Sequence, residues 1–109
     1  MSERRKITRS SGNVFADLEV GEPDEALIKA ALAAKVSSII EHRHLTQVEA
    51  AKILGIDQPK VSALTRGRLA GFSTERLFRL IRALGRDIDI VVRKRRSAME
   101  TGRARVVFA

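Results

Sequence analysis

The side chains that most often perform catalysis or bind metal ions are scarce in this sequence. It contains no cysteine, and its two histidines, His42 and His44, lie two residues apart with no carboxylate cluster beside them. Neither a histidine–carboxylate constellation nor a glycine-rich phosphate loop is recognisable. We therefore predict that the chain is not an enzyme, that it has no catalytic residue, metal ligand or cofactor, and that both histidines are surface residues.

Cationic side chains are abundant by contrast, and the chemistry that they offer is attraction to a polyanion. The 109 residues include 21 lysines and arginines against 13 aspartates and glutamates, which gives a net charge of +8. Residues 1–14, 46–85 and 86–109 carry +3, +4 and +4, whereas residues 15–45 carry −3. Nucleic acid, an acidic lipid surface and an acidic protein would each match this balance.

The sequence has the features of a cytoplasmic protein with a single domain and short arms. Its longest apolar runs are far shorter than the roughly 20 residues that span a bilayer. The N-terminus lacks the apolar region of a secretory signal, and a chain without cysteine suits a reducing cytosol. We predict no membrane partner.

Apolar periodicity first predicts one long helix over residues 23–43. Leu27, Ala31, Ala34, Ser38 and the pair Ile39 and Ile40 recur in it at three- and four-residue spacing. This is the pattern of an amphipathic helix that turns one face towards a core.

Three shorter helices are predicted after it, over residues 46–55, 58–67 and 73–85. Each has a polar residue near its start that can cap it, and each ends at a glycine. Thr46, followed three residues later by Glu49, has the spacing of a capping box. These signals predict a bundle of mainly α-helical structure.

A tight turn joins the first two of the short helices, which is the arrangement of a helix-turn-helix. Packing requires a small residue in the middle of the first helix and a residue in the turn that tolerates positive φ, and Ala51 and Gly55 meet these requirements. Asp57 or Gln58 would cap the second helix. In such a motif the second helix enters the major groove of DNA, and the first crosses above it. The residues that should face inward are Ala50, Leu54, Ile56, Val61 and Leu64.

Beyond residue 85 the hydrophobic period changes from 3.6 to two, which predicts a strand over residues 86–93. Ile88, Ile90 and Val92 share one face of this strand, and residues 103–108 form a second candidate strand. An isolated strand or hairpin is marginal in water, so the strand needs a partner. We favour the same strand of a second copy, which would make these three residues a homodimer interface. The alternative is that the strand folds back on residues 103–108 of its own chain.

The segment TQVEAAKILGIDQPKVSALTRG resembles the helix-turn-helix of the phage-repressor-like XRE superfamily. That resemblance implies a mainly α fold, which is a helix-turn-helix bundle of four to five helices. A C-terminal β-strand used for dimerisation follows the bundle. The predicted DNA-binding domain covers residues 14–85 and follows a flexible basic arm at residues 1–13. The dimerisation strand at 86–93 and a basic tail at 94–109 complete the predicted organisation.

The resemblance also implies which residues contact double-stranded DNA. Gln47 falls where such repressors set a glutamine against a backbone phosphate, and Gln58 falls where they read a base edge such as adenine N6 and N7. Pro59 and Ala63 fall on base-facing positions, although neither has a polar side chain. The predicted DNA-binding residues are Gln47, Gln58, Pro59, Lys60, Ser62, Ala63, Arg66, Ser73 and Thr74.

Several polar residues also have simpler interpretations. Gln47 could be a solvated residue of a first turn, and Gln58 could be a residue of a capping region. Arg76, Arg79 and Arg82 are spaced along one side of the fourth helix, and we interpret them as a solvated face.

The wider chain is similar to HigA-like antitoxins of the XRE type, which are paired with RelE-fold toxins. The likeness lies in the lead-in SGNVFADL, in the central helices and in the closing GRARVVFA. It implies a homodimeric transcriptional repressor that binds an operator, autoregulates its operon and neutralises a RelE/HigB-like toxin. Because such toxins tend to be basic, the acidic residues 17–25 are predicted to contact the toxin. The alternative is a stand-alone XRE-family regulator with no toxin partner.

Overall fold

The structure, a computed structural model, describes residues 22–95 and 101–109. Within these residues the helices are α1 (Glu22–His42), α2 (Gln47–Leu54), α3 (Gln58–Thr65) and α4 (Thr74–Ala83). The mainly helical fold and the order of the four predicted helices are confirmed. The predicted arm at residues 1–13 lies outside the described residues.

The chain divides into two compact units. One is Lys29–Lys94, which contains the helix-turn-helix. In the other, the backbone N–H of Ala104 donates to Asp24 Oδ2 at 3.1 Å. This bond ties residues 80 positions apart.

The face that α1 buries agrees with the predicted one only in part. Ile39 and Ile40 are buried as predicted and Ala31 is half-buried, whereas Leu27 is 68% exposed and Ala34 and Ser38 are exposed as well. The prediction was wrong for these last three residues because α1 has apolar residues on nearly all sides, so that periodicity did not distinguish one face. The buried residues of α1 are Leu32, Ala33, Val36, Ile39 and Ile40.

In the described part of the chain no helix is long and apolar enough to cross a membrane.

The predicted capping box at the start of α2 is confirmed. The backbone N–H of Thr46 donates to Glu49 Oε1 at 2.8 Å, and the backbone N–H of Glu49 donates to Thr46 Oγ1 at 3.1 Å. At the other end, Gly55 adopts a φ of 71° and donates its N–H to the carbonyl of Ala51 at 2.8 Å. Glycine suits this left-handed conformation because it has no Cβ.

Thr46→Ala removes the hydroxyl from this cap, and we expect the free energy of unfolding to fall by about 0.5–2 kcal/mol. The backbone N–H and then the hydroxyl of Thr46 lower the pKa of Glu49 by hydrogen bonding. The stability contributed by this carboxylate is therefore present above the pKa of the unfolded chain, and it is lost as the pH falls through the lowered pKa of the folded chain. In the variant this pKa should rise part of the way back, since the backbone donor remains. Urea unfolding and an NMR titration of Glu49 measure the two effects, and an unchanged pKa would contradict the prediction.

The next two helices each begin with a single capping side chain. Asp57 Oδ1 accepts the backbone N–H of Lys60 at 3.0 Å, so that Asp57 rather than Gln58 is the cap of α3. Ser73 Oγ accepts the backbone N–H of Arg76 at 3.0 Å and caps α4. Both bonds satisfy a donor that has no partner within its helix.

Two features that the sequence analysis did not predict occur at the ends of α4. Phe72 precedes the cap and is 3% exposed, and Leu77 four residues after the cap is fully buried. These two positions are those of a hydrophobic staple. Beyond the other end, Arg43 Nη1 donates to the carbonyl of Leu84 at 3.3 Å. The arginine thus links the residue after α1 to the end of α4.

The helix-turn-helix packs as predicted, with α2 in contact with both α3 and α4. Ala50, Leu54, Val61 and Leu64 are between 0% and 7% exposed, and Ile56 is half-buried. The predicted inward-facing residues are therefore confirmed. This packing holds α3 at the edge of the bundle with one side buried.

The C-terminal residues form no strand within the described residues 86–95 and 101–109. Ile88 is half-buried, whereas Ile90 and Val92 are 73% and 92% exposed. The strand over residues 86–93 and the second candidate strand are therefore not confirmed, and neither is the fold-back pairing. A strand without a partner would leave its backbone groups unpaired, so pairing with a second copy stays a prediction.

Candidate nucleic-acid interface

The short helix α3 has a buried inner side and an outer side that is turned away from the bundle. Val61 and Leu64 are 0% and 1% exposed and form the inner side. Successive helical residues are turned by about 100°, so residues 59, 62, 63 and 66 project away from these two. Of the residues predicted to contact DNA here, Gln58, Pro59, Lys60 and Arg66 are exposed, and Ser62 and Ala63 are half-buried.

The outer side of α3 has the dimensions and chemistry for a DNA groove. An α-helix fits the major groove of B-DNA, which is about 12 Å wide. Exposed Gln58 presents an amide that can both donate to and accept from a base edge. Exposed Lys60, Arg66 and Arg68 supply cations on and just after the same helix. The helix thus combines a neutral hydrogen-bonding group with flanking positive charge.

The start of α2 offers a second set of donors. Gln47 is the first residue of α2 and is exposed. The capping box uses the backbone N–H groups of Thr46 and Glu49, and those of Gln47 and Val48 have no carbonyl partner within the helix. Backbone donors and a side-chain amide at a helix start suit a phosphate oxygen. The Glu49 carboxylate lies at the same end and weakens this attraction, although it is directed to Thr46 N–H.

A third set of donors lies at the start of α4. Ser73 is exposed, and Thr74 is half-buried. Because Ser73 Oγ accepts the N–H of Arg76, its own O–H is still able to donate. The two hydroxyls and the helix start are suited to a second phosphate.

The start of α3 differs from the other two because its cap is charged. The Asp57 carboxylate accepts the Lys60 N–H there, so a phosphate would meet a negative charge at that point. This favours a base edge over a phosphate as the partner of Gln58. The sequence analysis did not use Asp57 to separate these roles, although its capping position was visible.

The arginines of α4 do not all behave as predicted. Arg79 and Arg82 are exposed, as expected of a solvated face. Arg76 is half-buried, and its guanidinium carbon lies 5.6 Å from the ring centroid of Phe72. Its Nε is buried without a hydrogen-bond partner. The prediction for Arg76 was wrong, because its guanidinium lies over the Phe72 ring instead of extending into solvent.

The two histidines are exposed, in agreement with their assignment to the surface. His44 adopts a φ of 55° in the turn between α1 and α2. No group of three or more potential metal-binding side chains occurs in residues 22–95 and 101–109.

Comparisons with known proteins agree with this geometry. The family described as helix-turn-helix domain matches residues 14–93. A solved structure named as an XRE family transcriptional regulator is 43% identical, with a TM-score of 0.76, over 81% of this chain and 99% of that chain. No curated protein matches. The chain therefore belongs to the helix-turn-helix domain family and is, by this likeness, a DNA-binding regulator of XRE type and not an enzyme.

Proposed function

We propose that the chain is a sequence-specific repressor that acts in the cytoplasm by placing α3 in the major groove of a double-stranded operator. The observation that carries this proposal is that α3 has one buried side and one exposed side. Val61 and Leu64 are buried, while Gln58 and Lys60 on the same short helix and Arg66 directly after it are exposed. Burial of the inner side fixes the angle of the helix, and the exposed side is free to contact bases.

The proposed contacts fall into two classes. Gln58 reads a base edge, with Pro59 and Ala63 close enough to touch a thymine methyl group. Lys60 and Arg66 neutralise phosphates, and they are assisted by the three uncharged donors that begin α2 and α4. Ser62 lies on the outer side of α3, and its hydroxyl suits either a base edge or a phosphate. The three uncharged donors are Gln47, Ser73 and Thr74.

The repressor is proposed to act as a homodimer through the face shared by Ile88, Ile90 and Val92. One recognition helix contacts too few base pairs for useful affinity, whereas two helices address half-sites about one helical turn apart. The exposure of Ile90 and Val92 supports an interface at this segment. The operator should accordingly be a palindrome.

Gln58→Ala and Lys60→Ala test the two classes of contact. Gln58→Ala should lose about 1–3 kcal/mol of discrimination at one base pair of each half-site. Lys60→Ala should weaken binding to every sequence by a similar factor and should reduce the salt dependence by about one counterion for each copy. Fluorescence anisotropy with a selected operator, with single-base variants of it and with unrelated DNA, at several salt concentrations, measures both quantities.

Arg82→Ala is the matched control, because it removes one exposed positive charge from α4 outside the proposed contact set. Its affinity should remain close to that of the unmodified chain. If Gln58→Ala and Lys60→Ala have the same profile, the roles assigned to them are wrong. If the unmodified chain prefers no sequence, the proposed function is wrong.

We further propose that the repressor is an antitoxin that neutralises a RelE/HigB-like toxin and autoregulates its operon. The support is the sequence likeness at both ends of the chain and the acidic run at residues 17–25, of which residues 17–21 lie outside the described residues. Copurification with the small basic product of an adjacent reading frame tests this role. Charge reversal within the acidic run should then weaken neutralisation. A chain that represses normally but has no such neighbour is the stand-alone regulator.

A further inference from the structure

Residues 86–93 follow the last helix of the helical unit and have aliphatic side chains in solvent. Ile88 is half-buried, but Ile90, Val91 and Val92 are 73%, 77% and 92% exposed. A contiguous apolar patch on a small protein commonly marks an interaction site. The segment forms no strand in the described residues of a single copy.

We infer that this segment pairs with the same segment of a second copy as an antiparallel ladder centred on Ile90. The inference depends on the dimer in the proposed function and adds its register. Alternate residues of a strand lie on one face, and directly opposed residues of an antiparallel pair share a face. Centring on Ile90 therefore sets Ile90 opposite its equivalent and Ile88 opposite Val92 of the second copy. All three aliphatic side chains of each copy then meet aliphatic partners.

The other face of the ladder contains one kind of opposite-charge pair in this register. The ladder sets Asp87 opposite Arg93 of the second copy, and the two-fold symmetry makes this pair twice. Both side chains are exposed. Opposite charges placed directly across a ladder stabilise it.

The neighbouring registers that keep the same faces match the apolar face less well. A ladder centred on Asp89 sets two carboxylates directly opposite each other, which is unfavourable, and sets Arg86 opposite Val92. A ladder centred on Val91 pairs Asp87 with Arg95 and Asp89 with Arg93, but it sets Lys94 opposite Ile88, so a cation enters the apolar face. The register centred on Ile90 sets Arg86 opposite Lys94 at the ends of the ladder, and of the three it alone gives Ile88, Ile90 and Val92 aliphatic partners.

Single cysteines introduced into the full-length chain test the register, since the sequence contains no cysteine to interfere. Under mild oxidation Ile90→Cys should give a disulfide-linked dimer, because a disulfide needs Cα atoms within roughly 4.4–6.8 Å. Val92→Cys alone should stay unlinked, because its two copies would lie more than about 13 Å apart along the ladder. An equimolar mixture of Ile88→Cys and Val92→Cys should link. Non-reducing gel electrophoresis reads out each result.

Charge exchange gives an independent test without cysteine. Asp87→Arg and Arg93→Asp should each weaken dimerisation by about tenfold, because each turns two attractive pairs into repulsive ones. The double variant, which restores opposite charges, should recover most of the affinity. Analytical ultracentrifugation over a range of concentrations measures the dimer dissociation constant.

Either of two results would overturn the inference. One is a disulfide in Val91→Cys instead of Ile90→Cys, and the other is a double charge variant no tighter than the single ones. If the register fails while the unmodified chain still binds a palindrome, the proposed repressor stands with a different dimer. Absence of sequence-specific binding would instead remove the proposed function itself.

Discussion

Ser62→Glu is expected to lower the affinity for the operator by at least about 100-fold while the fold persists. Ser62 is half-buried on the outer side of α3, between Pro59 and Arg66. A carboxylate at this position would enter the groove once in each copy and meet phosphates and base acceptors. Like charges forced together at an interface cost several kcal/mol, and about 2.7 kcal/mol corresponds to 100-fold. Stability should change little, because glutamate is a better helix former than serine.

Ala34→Glu is the matched control for this prediction. Ala34 is exposed on α1, and the substitution adds the same single negative charge to each copy at a helical position outside the motif. It should reduce affinity only slightly, through the smaller net charge. Fluorescence anisotropy at one salt concentration, together with thermal unfolding followed by circular dichroism, measures both variants. Equal loss of affinity in the two variants would show that net charge and not the position of α3 determines binding.

The helix-turn-helix was predictable because its determinants are close in sequence. Thr46 and Glu49 form the capping box of α2, and Gly55 ends that helix. Asp57, two residues later, caps α3. Each of these devices lies within a few residues and needs no distant contact. The inward positions followed from the spacing between the two helices, and their burial confirms the register.

The buried face of α1 was predictable from periodicity only at Ile39 and Ile40. A helix reveals its inner face only when the other side is polar. In α1, alanines lie on both sides, so that the pattern through Leu27, Ala34 and Ser38 looked as regular as the buried one. Tertiary packing, and not local pattern, decides the face here.

Contacts between distant residues were also missed. Arg43 and Leu84 are 41 positions apart, and nothing in either neighbourhood indicates the hydrogen bond between them. The position of Arg76 over Phe72 depends on the burial of that ring. A single aromatic residue in a loop gives no sequence pattern from which its burial could be predicted. For the candidate site, most of the residues predicted to contact DNA are exposed, but Ser62, Ala63 and Thr74 are half-buried. Their separate roles depend on the DNA. The predicted strand likewise depends on a second copy.

Leu64→Ala should have the largest effect on stability, with a fall of about 2–5 kcal/mol in the free energy of unfolding. Leu64 is 1% exposed on the inner side of α3, so that truncation leaves a cavity between α3 and the bundle. Small domains are stable by only about 5–15 kcal/mol, and this loss is a large part of that total. Urea unfolding at low temperature, where the variant remains folded without denaturant, gives the difference.

Leu27→Ala makes the same chemical change at a helical residue that is 68% exposed, and it should alter stability by less than about 0.5 kcal/mol. Leu64 and Ser62 lie two residues apart on one helix of eight residues, yet the first should govern stability and the second affinity. This separation requires that the inner side of α3 is anchored, because only an anchored helix presents its outer side at a fixed angle to a groove. If Leu64→Ala were no more destabilising than Leu27→Ala, that anchor would be absent. The proposed reading of bases by Gln58 would then lose its structural basis.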